Sequence, residues 1–319
     1  GDPENVGDLV APSAVAAVSG VQADFALATD APEAERRRRL AVWISDAANP
    51  LFSRVIANRI WHYHFGTGLV DTPNDLGFNG GRPSHPELLE WLAIRMRDGR
   101  FRMKAFHRML VMSSTYRQAA LPDESDESFI RAAAVDADNR LLWQMTPRRL
   151  EAESLRDAML SVAGKLNPRL GGDSFVDVSV VENNGTTYYE PIVVNGDDFF
   201  RRTVYRFNPR GGRSALLDTF DCPDPANAAP RRAVTTTPLQ ALSLLNNSFV
   251  LQMSDYFAAR VKNDIGESVS EQVIRAWQLA VMREPTTAEH RLSVELVEQH
   301  GLSALCRGLF NLTEFVLID

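Results

Sequence analysis

The stretch NPLFSRVIANRIWHYHFG, residues 49–66, predicts a helix whose two ends are both specified by the sequence. Asn49 suits the N-cap, because its side-chain oxygen can accept a hydrogen bond from a free backbone N–H. Pro50 suits the first helical position, where no donor is needed, and Gly66 suits the left-handed residue that ends a helix. At about 100° per residue, one side of this helix carries Leu51, Phe52, Val55, Ile56, Ile60 and Tyr63.

Two residues of this helix depart from a simple amphipathic pattern. Arg59 falls inside the apolar stripe and Trp61 falls on the opposite side, which predicts a helix surrounded by protein. A guanidinium inside an apolar stripe costs several kcal/mol unless it is paired. Either Arg59 forms an ion pair that locks a loop to the helix, or it anchors a substrate. The candidate carboxylate partners are Asp71, Asp75, Glu151 and Glu314.

The rest of the chain predicts a mainly α, multi-helix globular domain with a small antiparallel β insertion over about 174–207. Helical periodicity and helix start signals recur along the chain, for example over 33–46, 104–116, 146–163 and from Thr237 onward. Between 174 and 207, the runs FVDVSVV, TTYYEPIVV and TVYRF alternate with period two and are rich in β-branched residues. The turn between the first two runs is supplied by Asn183, Asn184 and Gly185.

Composition limits the class of protein. The chain has 319 residues, is 45% hydrophobic and carries a net charge of −7, which argues against broad nucleic-acid binding. It contains no run of about 18 apolar residues, so we expect no membrane span. We expect residues 1–32 to form an extended arm and residues 33–319 to form one domain. Because the sequence begins without Met, we also expect the chain to be part of a longer protein.

Histidines are the first candidates for chemistry. His62 and His64 form an HxH pair at the end of the predicted helix. Residues two apart on a helix diverge by about 200°, so both cannot easily bind one metal ion. A single histidine, His64 or His85, could still contribute one ligand or act in acid–base catalysis.

The segment 218–237, DTFDCPDPANAAPRRAVTTT, is the densest polar part of the chain. Asp218, Asp221 and Asp224 recur every third residue, and such a density of carboxylates could hold a hard cation such as Ca²⁺. The alternative is that they cap helices and pair with arginines such as Arg232. Cys222 could be a nucleophile only beside a histidine or another basic group.

Several long strings resemble one known family. These are the stretch from residue 49 to NDLGFNG, then RPSHPELLEWLA, FRMKAFHRMLVMSSTYRQ, DNRLLWQMTPRRLEAESLRDAML, FDCPDP, RRAVTTTPLQALSLLNNSFV and LCRGLFNLTEFVLID. In this order they are similar to the planctomycete-type, cytochrome-associated family called domain of unknown function 1553. The most recognisable positions are Asn58, Arg59, Trp61, His64, Phe65, Gly66, Asp75, His85, Pro86, Glu87, Arg149, Glu151, Asp221, Arg232 and Thr236.

The resemblance implies an exported protein, periplasmic or at the cell surface, of which this chain is the C-terminal part. Members often carry an upstream cytochrome c-like domain, and many are encoded near sulfatase and polysaccharide-use genes. Haem would therefore belong to an upstream domain, because this chain has no haem-attachment motif and we expect no cofactor in it other than Ca²⁺. No established activity comes with the family, so no catalytic residue can be assigned from it.

Three functional hypotheses follow. The first is a module that binds or processes polysaccharide fragments in a cleft between the loop 67–83 and the segment 218–237. In it, Trp61, Tyr188 or Tyr189 would stack on sugars, with Arg59, Asp71, Asp75 and Arg232 as further binding residues. The second is an enzyme in which Asp221 or Glu151 works with His64 or His85. The third is a redox-docking or structural module that packs on the upstream domains of the same polypeptide.

Overall fold

The computed structural model describes residues 4–5, 7–120, 126–192 and 194–318. Within these residues the chain forms thirteen α-helices and two antiparallel sheets of two strands each, which confirms the mainly α class with a small β element. It divides into two units, residues 1–146 and 147–319. Ser13 and Asp24 form an isolated bridge within the expected N-terminal arm. The single domain over 33–319 stays a prediction.

The first unit is built around the helix that the opening stretch predicts. Its helices are α1 (Glu33–Ser45), α2 (Pro50–Phe65), α3 (Pro86–Asp98), α4 (Met103–Val111) and α5 (Glu127–Val135). Both predicted ends of α2 are confirmed: Asn49 accepts a hydrogen bond from the Leu51 N–H at 3.0 Å, and Gly66 has a φ of 81°. The core of this unit includes Ala57, Ile60, Trp61, Phe65, Leu89, Leu92, Met96, Phe106 and Leu110.

The buried face of α2 differs from the predicted stripe. Trp61 is only 6% exposed and stacks on Phe65 with ring centroids 4.1 Å apart, whereas Tyr63 and Arg59 are exposed. The periodicity misled because Asn58, a polar residue, belongs to the buried face. Its side-chain amide donates to and accepts from the Val70 backbone in the following loop, so the helix face that contains Asn58 can be buried.

The second unit packs around a long central helix. Its helices are α6 (Ala152–Val162), α7 (Ala215–Thr219), α8 (Pro238–Asn246), α9 (Ser248–Ile265), α10 (Val269–Val281), α11 (Thr287–His300), α12 (Leu302–Phe310) and α13 (Thr313–Val316). Helices α9 and α12 contribute the fully buried Phe257 and Phe310, whose rings are 5.6 Å apart.

A short sheet changes the predicted start of α6. Strands β1 (Arg148–Arg149) and β4 (Leu317–Ile318) pair antiparallel, so the predicted helix start at Thr146 is wrong and α6 begins at Ala152. Backbone pairing with the end of the chain holds residues 148–149 extended, and sequence periodicity does not report such long-range pairing.

The predicted β insertion forms a hairpin. Strands β2 (Val178–Asn183) and β3 (Thr186–Pro191) pair in register around Asn184 and Gly185, which both have positive φ. This is the backbone that a two-residue hairpin turn requires. The third predicted run instead contains a short 3₁₀ helix, Thr203–Tyr205, because the Asp157 carboxylate accepts hydrogen bonds from the N–H and hydroxyl of Thr203.

Buried arginines hold the segment around this hairpin. Arg201 is 4% exposed and donates to the backbone carbonyls of Asp173 and Gly171. Arg156 donates to the carbonyls of Phe199 and Arg201. A guanidinium carries five donors, so each arginine can satisfy several carbonyls of an irregular chain that has no ladder of its own.

Candidate functional site

The histidines predicted for catalysis have nearby partners in the first unit. His64 is half-buried and its Nε2 lies 2.8 Å from Nδ1 of His107, with the Tyr116 ring edge-on to it. This contact requires that one ring nitrogen donates and the other accepts. His85 Nδ1 lies 3.0 Å from the Ser84 hydroxyl. The structure thus adds His107, which the sequence did not indicate, as the neighbour of His64.

The predicted ion pair of Arg59 is not formed with Asp71 or Asp75. Arg59 is exposed and its guanidinium donates to the side chain of Asn74, so it needs no carboxylate. Asp71 faces Arg140 at 3.6 Å, and Asp75 accepts a hydrogen bond from the Gly77 N–H at 2.9 Å within its own loop. Arg59, Asp71 and Asp75 therefore make separate contacts at the loop that follows α2.

The anchor between α2 and this loop is Asn58. Its side chain is fully buried, donates to the Val70 carbonyl at 2.9 Å and accepts from the Val70 N–H at 2.9 Å. A Cβ at Gly68 would lie 2.4 Å from the Val70 carbonyl oxygen and 2.9 Å from the Asn58 amide, so only glycine fits there. The loop is therefore fixed by an amide that pairs with backbone.

Of the aromatics predicted to stack on sugars, only some are accessible. Trp61 is buried in the core of its unit and offers no free ring face. Tyr188 on β3 is about half exposed, whereas Tyr189 contacts Phe207 edge-on at 6.4 Å. A stacking role is therefore open to Tyr188 and closed to Trp61.

The second unit brings Asp221 and Arg149 together. Their side chains are 13% and 11% exposed and form an ion pair, and Asp221 also accepts hydrogen bonds from the N–H and hydroxyl of Thr235, each at 2.9 Å. Burial alone would raise the pKa of Asp221, but the Thr235 N–H and the Arg149 guanidinium lower it below its usual value. Asp221 is thus held ionised, which suits an ion-pair partner better than a general acid.

A second ion pair lies beside the first. Arg232 donates to both carboxylate oxygens of Glu153, at 2.6 and 2.9 Å, and its Nε lies 3.5 Å from Glu151. The predicted residues Glu151, Asp221 and Arg232 therefore belong to neighbouring ion pairs at α6. They attach the proline-rich segment 218–237 to that helix.

Cys222 sits next to this ion pair. Its sulfur lies 3.7 Å from Glu153, and burial together with that carboxylate raises the thiol pKa to about 11. A nucleophilic cysteine needs a lowered pKa, so this environment disfavours the nucleophile hypothesis.

We expect Cys222 to react with iodoacetamide at pH 8 about 100-fold more slowly than an unperturbed thiol, because so little thiolate is present. Cys306 is fully buried, and burial also raises its pKa. Counting labelled thiols by mass spectrometry should give almost none in the native protein and two after unfolding in guanidinium chloride. Rapid native labelling of Cys222 would contradict the expectation.

The three aspartates predicted to hold a cation have separate partners. Asp218 accepts from the Ser214 N–H, and Asp224 accepts from the Ala226 N–H and the Asn227 amide. Among the described residues, no group of three or more His, Cys, Asp or Glu side chains could hold a metal ion. Calcium binding stays a prediction.

The first unit also carries a basic recess that the periodicity and motifs of the sequence do not indicate. It has a volume of about 340 Å³ and lies where α3 passes into α4. Buried Phe106 and half-buried Met109 line it together with the charged Arg95, Asp98, Arg100 and Arg102. Asp98 is paired with Arg97 at 3.0 Å, so the three lining arginines dominate the potential of this recess.

The turn beside the recess holds its arginines in place. Arg100 and Phe101 both have positive φ, 53° and 54°, a conformation that is unfavourable for residues with a side chain. Phe101 packs on Phe52 with ring centroids 5.0 Å apart, which secures the turn. Next to it, Trp91 is 44% exposed and lies against the guanidinium of Arg95 at 5.1 Å.

A sequence signal for this recess exists. Residues 95–108, RMRDGRFRMKAFHR, contain six exposed Arg or Lys residues and one aspartate in a chain whose net charge is −7. Averaging charge over the whole chain conceals such a patch, and a window of about 14 residues would have revealed it.

The sequence of this chain matches one known protein family. The family model described as PSD1: Protein of unknown function (DUF1553) matches residues 36–297 of the 319. No curated protein and no solved structure matches the chain. None of the helices in the described part of the chain has the length and apolar character needed to cross a membrane. With well over half of its length matched, the chain belongs to the PSD1 family of proteins of unknown function (DUF1553).

Proposed function

We propose that this chain is a module that binds fragments of acidic polysaccharide, and that the basic recess is its binding site. The observation that carries the proposal is the combination of three arginines and an apolar floor in one open recess, with the exposed Trp91 against one of these arginines, Arg95. Arginine recognises carboxylate and sulfate groups in a bidentate manner. The apolar floor and the Trp91 ring suit the C–H faces of a sugar ring.

The chemistry of the recess favours acidic over neutral sugars. Three guanidinium groups around an apolar floor make the binding free energy of a negatively charged ligand more favourable. A neutral sugar would be stabilised only by its contacts with Phe106, Met109 and Trp91. Charge outside the recess disfavours nucleic acid, because the rest of the chain is strongly acidic and repels a long phosphate backbone. A short acidic oligosaccharide fits within the basic region.

The test is a calorimetric titration with oligogalacturonate and with a neutral oligosaccharide of equal length. We expect saturable binding of the acidic ligand alone, weakening as NaCl rises from 50 to 300 mM. The double variant Arg95→Gln/Arg102→Gln should bind at least about tenfold more weakly, which corresponds to about 1.4 kcal/mol. The matched control Arg117→Gln/Arg131→Gln removes the same charge from exposed positions outside the recess and should bind like the wild type.

Two outcomes would overturn the proposal. Equal affinity for the neutral oligosaccharide would show that charge does not select the ligand. Equal affinity for a single-stranded oligonucleotide of the same charge would show general polyanion binding. Chromatography of the oligosaccharide after the titration separates binding from processing, because shortened products would favour the enzyme hypothesis.

A further inference from the structure

A second pocket is lined by residues of the second unit, none of which the proposed function uses. It has a volume of about 130 Å³ and is enclosed by the end of the β insertion and the starts of α7 and α9. We call it the arginine pocket and define it by the lining residues Arg156, Asp177, Arg206, Arg213, Ser248 and Phe249.

Arg156 brings a buried positive charge to this pocket. It is 8% exposed, and among the described residues it donates to neutral oxygens: the carbonyls of Arg201 and Phe199 and the Thr203 hydroxyl. The carboxylates of Asp157 and Asp177 stabilise its charge electrostatically. Its guanidinium lies between the rings of Phe175 and Phe249, 5.0 Å from each centroid. Burial lowers the pKa of Arg156 to about 10, so it remains charged at neutral pH.

Arg206 supplies a second buried guanidinium. It is 9% exposed, its Nε donates to Asp177 at 2.7 Å and its Nη1 donates to Asn208 at 3.1 Å. Its Nη2 donates to none of the described residues. Arg213 is exposed at the rim and lies 3.8 Å from the Asp218 carboxylate, so the two buried guanidiniums are the charges that matter inside the pocket.

The start of α9 adds to the same potential. Asn247 and Ser248 line the pocket, and α9 continues for 18 residues from there. Asn247 caps only the Phe249 N–H, at 2.9 Å, and other N–H groups of a first helical turn lack partners within the helix. The positive end of a helix of this length favours an anion in the pocket.

We infer that the arginine pocket binds a small oxyanion, held by Arg156, Arg206 and the first turn of α9. The volume admits a single phosphate, sulfate or carboxylate group together with a few waters. Such a group can accept hydrogen bonds from the Nη2 of Arg206, which donates to none of the described residues, and from N–H groups in the first turn of α9. The same oxyanion chemistry can come from a free inorganic anion or from an acidic group on a larger ligand.

The variant Ser248→Asp tests this inference with little risk to the fold. A carboxylate at the first position of a helix is favourable for the helix, but it places a negative charge in the pocket. Calorimetric titration of the full chain with inorganic phosphate should show saturable binding that Ser248→Asp weakens at least about tenfold. The matched control Thr287→Asp places the same charge at the first position of α11, outside the pocket, and should stay within about twofold of the wild type.

Two further titrations distinguish the source of the anion and test this inference independently of the proposed function. Competition of phosphate by monomeric galacturonate would assign the pocket to an acidic group on a ligand, and absence of competition would assign it to a free inorganic anion. The recess variant Arg95→Gln/Arg102→Gln should bind phosphate like the wild type, so either proposal can fail alone. No saturable phosphate or galacturonate binding, or equal binding by wild type and Ser248→Asp, would overturn the inference.

Discussion

Replacing Asp221 with asparagine is expected to lower the free energy of unfolding by about 3 kcal/mol, because it leaves the Arg149 charge mostly buried and unpaired. The variant keeps the shape of the side chain, and asparagine tolerates the positive φ of 62° at this position. The Thr235 N–H can still donate to the amide oxygen, whereas an NH2 group replaces the other acceptor oxygen. The loss of the charge is therefore the main change, and urea-induced unfolding followed by circular dichroism measures its effect.

The stabilisation by the Asp221–Arg149 pair should depend on pH in a defined direction. Because folding lowers the pKa of Asp221, its contribution is present above the unfolded carboxyl value of about 4 and is lost as the pH falls below it. The difference between wild type and Asp221→Asn should therefore be largest near pH 7 and shrink on acidification. Asp224→Asn, at an exposed neighbour in a local turn, is the control and should leave the urea midpoint close to that of the wild type. Equal losses in both variants would contradict the buried-pair interpretation.

The second large effect is expected at Asn58. Asn58→Ala removes both partners of the buried Val70 backbone and leaves a cavity, so we expect a loss of about 3–4 kcal/mol. We expect the loop 67–83 to open locally before the whole unit unfolds, because the Asn58 amide is the link between this loop and α2. Hydrogen exchange of the Val70 amide should accelerate together with the fall in the denaturant midpoint.

Asn74→Ala is the matched control for Asn58. Asn74 lies in the same loop, but it is exposed and bonds only the exposed Arg59. We expect a change within about 0.5 kcal/mol and unchanged exchange at Val70. A loss at Asn74 that equals the loss at Asn58 would mean that the Arg59 contact stabilises the loop, as the sequence first suggested.

Arg59 and Asn58 show how far sequence patterns reach into the candidate site. The sequence pattern identified α2 and its two capping residues. It assigned the anchoring of the following loop to Arg59, whereas Asn58 has that role in the structure. Periodicity sorts residues by polarity, so it cannot foresee that a buried amide will be satisfied by the backbone of a distant loop. For the same reason, hydropathy predicts that Arg156 and Arg206 are exposed, whereas both are buried and hydrogen-bonded to residues far away in sequence.

The sequence by itself determined the helical class, the ends of α2, the hairpin turn at Asn184–Gly185 and the membership of the family, because these depend on local propensity and on long recognisable strings. Tertiary structure alone decided which polar residues are buried and which charges meet. It joined Asp221 to Arg149 across 72 positions of the chain and enclosed Arg156 between two aromatic rings. The energy of a charge depends on what surrounds it, and residues far away in sequence supply those surroundings.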